Sequence, residues 1–301
     1  MFMKYLPVVV ALGAIGCSSD NTDVVGGGGN SGAGGGGGVI ISLNGTGGGG
    51  AGTTGVSVAQ SGELTIVVRD FKFYAAKDSK TDSDFENVPK TDASGNPSTT
   101  YVGDWNDLGI VTDTLGQDHK PVYKNASGTT LTTHGKAAFD KWYNTVDGTN
   151  ILQQIPMTLT KNGDGTYAYD SLSAGPPLSP GGGFFPIDDG SAYQTSFGNQ
   201  GKDHNFSFTV EIHTLFTYSG GETFHFSGDD DVFVYIDNKL VINLGGIHSR
   251  EQADVAIDSL RLIKGNTYPL DFFSAERHVT QSNLLITTTL GLTTNTEIPI
   301  F

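Results

Sequence analysis

The chain has 301 residues, with 17 Lys and Arg against 32 Asp and Glu, and a formal net charge of -15. A surface that acidic repels phosphate backbones and argues against nucleic-acid binding, while the single cysteine excludes an intramolecular disulfide and a cysteine-rich zinc site. Of the 43 glycines, 17 fall between Gly26 and Gly55, a composition that cannot bury enough apolar surface to fold. Residues 56–301 are therefore expected to form the globular part, as one domain.

The N-terminus reads as a secretory signal over residues 1–16. Lys4 supplies the positive start and Leu6 to Ile15 a short apolar stretch. Ala14-Ile15-Gly16-Cys17 then resembles a bacterial lipobox, with Ala14 in place of the usual branched aliphatic residue. The resemblance implies that Cys17 is lipidated and becomes the mature N-terminus. Ser18 after it is similar to the signal that sends a lipoprotein to the outer membrane. Residues 17–55 would then be a Gly-rich tether; a coil of that kind spans roughly 35 Å. The expected localisation is the outer membrane or cell surface, with contact to the membrane through the lipid anchor only. Beyond the N-terminus no apolar run is long enough to cross a bilayer.

Past residue 62 the chain alternates with a period of two, as strands do. Leu64, Ile66 and Val68 open the pattern. Phe206, Phe208, Val210 and Ile212 alternate with Ser207, Thr209, Glu211 and His213, which predicts one buried and one polar face. Phe224 and Phe226 repeat the pattern. Val232, Val234 and Ile236, then Leu240, Ile242 and Leu244, flank Asp237-Asn238-Lys239 and predict a tight hairpin. Val255 to Leu262, Thr267 to Phe273 and Leu284 to Leu290 supply three more strands, the middle one at a sheet edge because of Pro269. Asn162-Gly163-Asp164-Gly165 reads as a hairpin turn.

Phe139, Trp142, Tyr143 and Val146 stand at i, i+3, i+4 and i+7, which predicts a short amphipathic helix from about Gly135 to Thr145. The Pro- and Gly-rich stretch from Ser173 to Gly190 reads as an irregular surface loop. Frequent short strands with turn residues between them predict an all-β fold, an antiparallel β-sandwich with one short helix and long loops.

The most informative stretch is Gly228-Asp229-Asp230-Asp231 at the entry to the apolar strand that begins at Val232. Three adjacent carboxylates repel one another at neutral pH, and a hard cation such as calcium would relieve that repulsion. A solvated acidic loop is the plainer alternative. Gly228-Asp229-Asp230-Asp231, the hairpin to Leu244 and Gly245-Gly246-Ile247-His248 together resemble the hallmark of the fibro-slime domain. Other blocks agree in order, among them Arg69-Asp70-Phe71, Asp84-Phe85-Glu86, Lys120-Pro121-Val122-Tyr123, Phe139-Asp140-Lys141-Trp142-Tyr143, Phe184-Phe185-Pro186-Ile187-Asp188 and Ala275-Glu276-Arg277-His278. The resemblance spans roughly Leu64 to Leu290.

That family is similar to the protective-antigen-type β-sandwich, which includes the lectin domains of flocculins and related adhesins. The resemblance implies an adjacent aspartate pair, joined by a cis peptide, that holds calcium while the calcium binds sugar hydroxyls. The pair falls on Asp229 and Asp230, and Asp231 stands where glycine is common. Asp229, Asp230 and Asp231 are thus the candidate metal ligands, with calcium as the cofactor. Asn243, Gly245, Gly246 and His248 are candidate ligand-binding residues after the hairpin, although Gly245-Gly246 equally suits a tight turn.

Other groups carry weaker readings. In Glu276-Arg277-His278 a buried Glu–Arg pair is favoured over sugar contact. His213 and His225 lie on strands opposite the apolar sets, a candidate pair but too few ligands for zinc on their own. Asp82, Asp84 and Glu86 lack the glycine and the frame of a calcium loop. Trp105, Trp142, Tyr101 and Tyr193 offer stacking faces for sugars, Trp142 being better suited to the core. Three functions remain: a surface-anchored, calcium-dependent adhesin for a polysaccharide or cell-surface glycan; a structural slime or matrix component with no defined sugar pocket; and, least, a glycan hydrolase. The chain shows no nucleophile elbow, metalloprotease helix or separated carboxylate pair, so it reads as a non-enzyme.

Overall fold

Strand alternation dominates the architecture seen in a computed structural model, which describes residues 61–72, 84–85, 104–193 and 197–298. These all belong to the unit Val56–Phe301. Cys17, the tether, Asp82, Glu86 and Tyr101 lie outside the described residues.

In chain order the elements are β1 (Glu63–Phe71), β2 (Trp105–Asn106), β3 (Val111–Leu115), β4 (Pro121–Tyr123), α1 (Lys136–Phe139), β5 (Asn150–Thr158), β6 (Thr160–Lys161) and β7 (Tyr167–Asp170). There follow β8 (Phe208–Thr217), β9 (Thr223–Gly228), β10 (Asp231–Ile236), β11 (Lys239–Leu244), β12 (Gly246–Ile247), β13 (Glu251–Ala256), β14 (Thr267–Glu276), β15 (Leu284–Thr288) and β16 (Thr293–Thr294). A large antiparallel sheet runs β4-β3-β11-β10-β14-β8-β1-β5, with β16 beside the end of β8. A second sheet runs β13-β9-β15-β7-β6, and β12 pairs with β2 alone. The fold is an all-β sandwich, as the alternation predicts.

The main core lies between the two sheets. Ile66, Val68, Val210, Ile212, Val232, Val234 and Phe272 from the large sheet meet Phe224, Phe226, Leu284 and Ile286 from the smaller one. At 25 cal/mol per Å² of apolar surface removed from water, such a face is the dominant stabilising term. The hairpin between β10 and β11 turns on Asp237 and Asn238, whose φ angles of 51° and 62° suit the two-residue turn that matches strand twist. The β6–β7 turn at Asn162 to Gly165 is also present, closed by the Asn162 N–H on the Thr166 carbonyl.

The large sheet differs from the expected one-sided pattern. Its second face is also covered: Ile110, Phe139, Trp142 and Tyr143 from the N-terminal half, together with Val111 and Tyr123 of its own strands β3 and β4, cluster with Phe233, Tyr235 and Phe273. The alternating polar residues Ser207, Thr209, Glu211 and His213 are therefore buried. They are paired instead of solvated: Glu211 accepts from Arg69 at 2.5 Å and meets His213 Nε2 at 2.8 Å, and His213 Nδ1 meets Asp271 at 2.7 Å.

Four further expectations are corrected. The helix is shorter than Gly135 to Thr145, because after Phe139 the chain tightens: Lys141 N bonds Ala138 O and Trp142 N bonds Phe139 O, three residues back. Its aromatic residues still share one cluster. The strand expected at Val255 to Leu262 is β13, which ends at Ala256, followed by a 3-10 turn over Ile257–Leu260. Strand β14 is not an edge but lies between β10 and β8; Pro269 is tolerated one residue beyond the last β10 pair, Ile236 with Leu270. The Ser173 to Gly190 segment is irregular, yet Leu178, Phe184, Phe185 and Ile187 are buried, so only part of it is surface.

Candidate functional site

Strand β9 delivers the chain to Gly228, where a side chain would approach the Asn283 carbonyl oxygen to within 2.4 Å. Glycine there lets the β15 lead-in pass close by. The next peptide bond, Asp229–Asp230, is cis, at the pair the resemblance singles out. Asp231 then begins β10.

The three aspartates have separate environments. Asp229 is 8% exposed and accepts from the Asn283 N–H at 2.5 Å and from Asn283 Nδ2 at 2.7 Å. Asp230 is 5% exposed and accepts from the backbone N–H groups of His248 at 3.2 Å and Arg277 at 3.1 Å. Asp231 is fully buried, with one oxygen on the Gly246 N–H at 2.7 Å and the other on Arg277 Nε at 2.6 Å. Burial is the main reason that the Asp229 and Asp230 carboxyls lie above the usual aspartate range, with Arg277 opposing the shift at Asp230 and its neighbours Asp231 and Asp229 adding to it.

Asp229 and Asp230 line one pocket of about 180 Å³ with Asp104, Ile247, His248, Ser249, His278, Thr280 and Gln281. Of the expected site residues, the fold brings Asp229, Asp230 and His248 together there. Asp231, Asn243, Gly245 and Gly246 do not line it. Asp231 is consumed by Arg277, and Asn243 Nδ2 donates to the Leu108 carbonyl at 3.2 Å. Gly245 and Gly246 admit the strand that follows Asp104. The Asp107 N–H donates to the Gly245 carbonyl at 2.5 Å, and a Cβ on Gly246 would sit 2.0 Å from the Trp105 carbonyl oxygen, at a φ of +127°.

Arg277 pairs with Asp231 and not with Glu276. Its guanidinium also donates to the Thr132 carbonyl at 2.8 Å and lies 4.6 Å from the Trp142 ring centre. Glu276 is buried beside Ser282, whose Oγ donates to the Phe184 carbonyl at 2.8 Å. Burial, then Asp230 and Asp229, push the Glu276 carboxyl well above the ordinary glutamate range.

The histidine pair is not assembled: His213 sits in the large sheet, whereas His225 is on β9 of the smaller sheet, bonded to Asp254 at 2.7 Å. Asp84 is buried and holds His134 and Trp142 Nε1, a structural use. Trp105 and Trp142 are 7% and 1% exposed, too buried to stack on a sugar. Sequence reasoning missed Asp104, Ser249, Thr280 and Gln281. Only His278 carried a signal, in the charged triplet after β14.

The donor chemistry at Asp229 and Asp230 is all oxygen, which fits a hard cation such as calcium. Among the described residues, no three His, Cys, Asp or Glu side chains are grouped to hold a metal ion. A cation at the pair would draw its remaining oxygens from carbonyls, hydroxyls, amides, water or ligand.

Comparison with known proteins gives a consistent picture. Residues 166–300 match the PA14 domain family. Protein psiD of Dictyostelium discoideum is 42% identical over 193 residues, covering 62% of this chain and 36% of psiD. Protein psiC of the same organism is 39% identical over 197 residues, covering 61% of this chain and 36% of psiC. Protein psiQ is 36% identical over 195 residues, covering 62% of this chain and 19% of psiQ. The chain thus spans about a third or less of the curated relatives it matches. Among solved structures, a β-glucosidase from Kluyveromyces marxianus in complex with glucose is 12% identical with a TM-score of 0.20, covering 30% of this chain and 11% of that one. A GH31 α-xylosidase from Xanthomonas citri is 12% identical with a TM-score of 0.28, covering 62% of this chain and 18% of that one. Likenesses that slight say nothing of activity. The PA14 match points to an extracellular or cell-surface domain that binds or builds structure. Among the described residues, no helix is long and apolar enough to cross a membrane.

Proposed function

We propose that the pocket at Asp229 and Asp230 binds carbohydrate through a calcium ion, in a fibro-slime-type adhesion protein tethered to the cell surface by a lipid on Cys17. The observation that carries this reading is the convergence of two buried, backbone-held carboxyl groups on one polar pocket. Carboxylates buried without a cation are costly, and a calcium ion there would stabilise both while presenting open coordination positions to vicinal sugar hydroxyls. Ser249, Thr280 and Gln281 on the rim supply hydrogen-bonding groups at the mouth, and Ile247 an apolar wall. Asp229 and Asp230 hold the ion; Asn283, His248 and Arg277 hold the aspartates. Lipidation of Cys17 and the Gly-rich tether would set the domain off the membrane and suit an adhesin.

A glycan array probed with the full chain, in calcium and again in chelator, tests the reading. Retention of a defined glycan set that chelator abolishes is the expected result. A matrix component without a sugar pocket would instead show no retention in either arm and concentration-dependent self-association.

A further inference from the structure

Asp104 stands apart from the other carboxylates of the pocket. It lies outside the segment that matches the PA14 domain, and it reaches the mouth because β2 pairs with β12: Trp105 opposite Ile247, Asn106 opposite Gly246. The Asn106 side chain adds a bond to Glu251 at 2.7 Å. Asp104 Oδ1 accepts from the Ser249 N–H at 2.7 Å, which fixes the carboxylate beside the pocket while leaving the residue exposed. The bonds from Ser249 hold its carboxyl below the usual aspartate range, so it is ionised at neutral pH. Among the described residues no Lys or Arg lines the pocket; Arg250, bonded to Ser227 Oγ, acts on Asp229 from beside it.

We infer that Asp104 is a specificity-determining residue that pairs with an ammonium group on the glycan, so that the pocket prefers amino sugars over neutral ones and rejects acidic ones. This rests on the carbohydrate-binding reading above. A calcium ion would balance the charges of Asp229 and Asp230; Asp104 then leaves one negative charge at the mouth that no Lys or Arg among the described lining residues offsets, in a chain whose net charge is -15. A sugar ammonium entering the mouth completes an ion pair there, and a uronate or sulfate meets repulsion.

The test compares retention of three oligosaccharides by the immobilised full chain in calcium: glucosamine oligomers, their N-acetylated counterparts and a uronate oligomer. One exposed charge pair changes affinity about fivefold, so glucosamine oligomers are expected to bind about fivefold more tightly than the N-acetylated set. Asp104→Asn keeps the acceptor for the Ser249 N–H and should bring that ratio to near one, and should raise uronate retention. Asp113→Asn, an exposed carboxylate on β3 away from the pocket, is the control for the loss of one net negative charge and should retain the ratio. A wild-type ratio of one or below, or a ratio that Asp104→Asn leaves unchanged, overturns the inference alone. Retention of none of the three, with or without chelator, overturns the carbohydrate reading and the inference with it.

Discussion

Replacing Arg277 with methionine tests how the N-terminal layer is fastened to the sandwich. Methionine keeps much of the aliphatic stem, so the change isolates the guanidinium. Arg277 and Asp231 are both fully buried, and their bond is 2.6 Å long. Removing one partner of a buried pair costs about 3–5 kcal/mol, because the other charge is left without compensation. The guanidinium also loses its bonds to the Thr132 carbonyl and hydroxyl, 2.8 and 3.2 Å, and its contact with the Trp142 face. The total is on the order of 5 kcal/mol, a large part of the stability of an ordinary domain. Urea unfolding followed by fluorescence should show the midpoint fall by about 2 M. Adding Asp231→Asn removes the stranded charge but keeps an acceptor for the Gly246 N–H, so the double variant should recover part of the loss. A single variant that loses less than about 1 kcal/mol, or a double variant no better than the single, would refute the reasoning.

Three further outcomes are expected. Gly246→Ala drives a Cβ into the Trp105 carbonyl at a positive φ, so β2 must leave β12; calcium-dependent glycan retention should fall with stability, and retention at the wild-type level would count against the role given to β2. Burial lowers the His213 pKa, but the hydrogen bonds its ring donates to the Asp271 and Glu211 carboxylates outweigh that and raise it from 6.5 to about 9. With the folded value above the unfolded one, its contribution, on the order of 3 kcal/mol, is complete below about pH 6.5 and lost as pH rises through about 9. The urea midpoint should drop between pH 7 and 10 in the wild type and drop less in His213→Gln. Glu276→Gln should raise the midpoint at pH 7 in chelator but not at pH 4.5, because the elevated folded pKa of Glu276 makes stability fall as pH climbs above its unfolded value; equal gains at both pH values would contradict this.

Much of the sandwich was legible in the sequence because period-two alternation and turn chemistry act locally. The β10–β11 hairpin is an example: Asp237 and Asn238 tolerate the positive φ its turn needs. What escaped depends on residues far apart in the chain. Glu211 and His213 looked solvent-facing because Arg69, 142 positions before Glu211, and the covering aromatic layer leave no local trace. Pro269 suggested an edge, yet it sits where one ladder ends inside the sheet. At the site, the acidic run Asp229 to Asp231 was visible, but the division of labour within it was not: Asp231 goes to Arg277, 46 positions later, and the pocket keeps the other two. Asp104 gave no signal because its place depends on the close approach that Gly246 permits.

The most direct test of the central claim is calorimetric titration of calcium into the chelator-stripped full chain, alongside Asp230→Asn. Asn keeps an acceptor for only one of the two N–H groups, His248 or Arg277, but removes a buried charge in exchange, so urea unfolding of both proteins in chelator is run alongside to show that the variant is folded. The expected result is one calcium per chain in the wild type and none in the variant. No binding by the wild type, or equal binding by both, would contradict a cation site at Asp229 and Asp230.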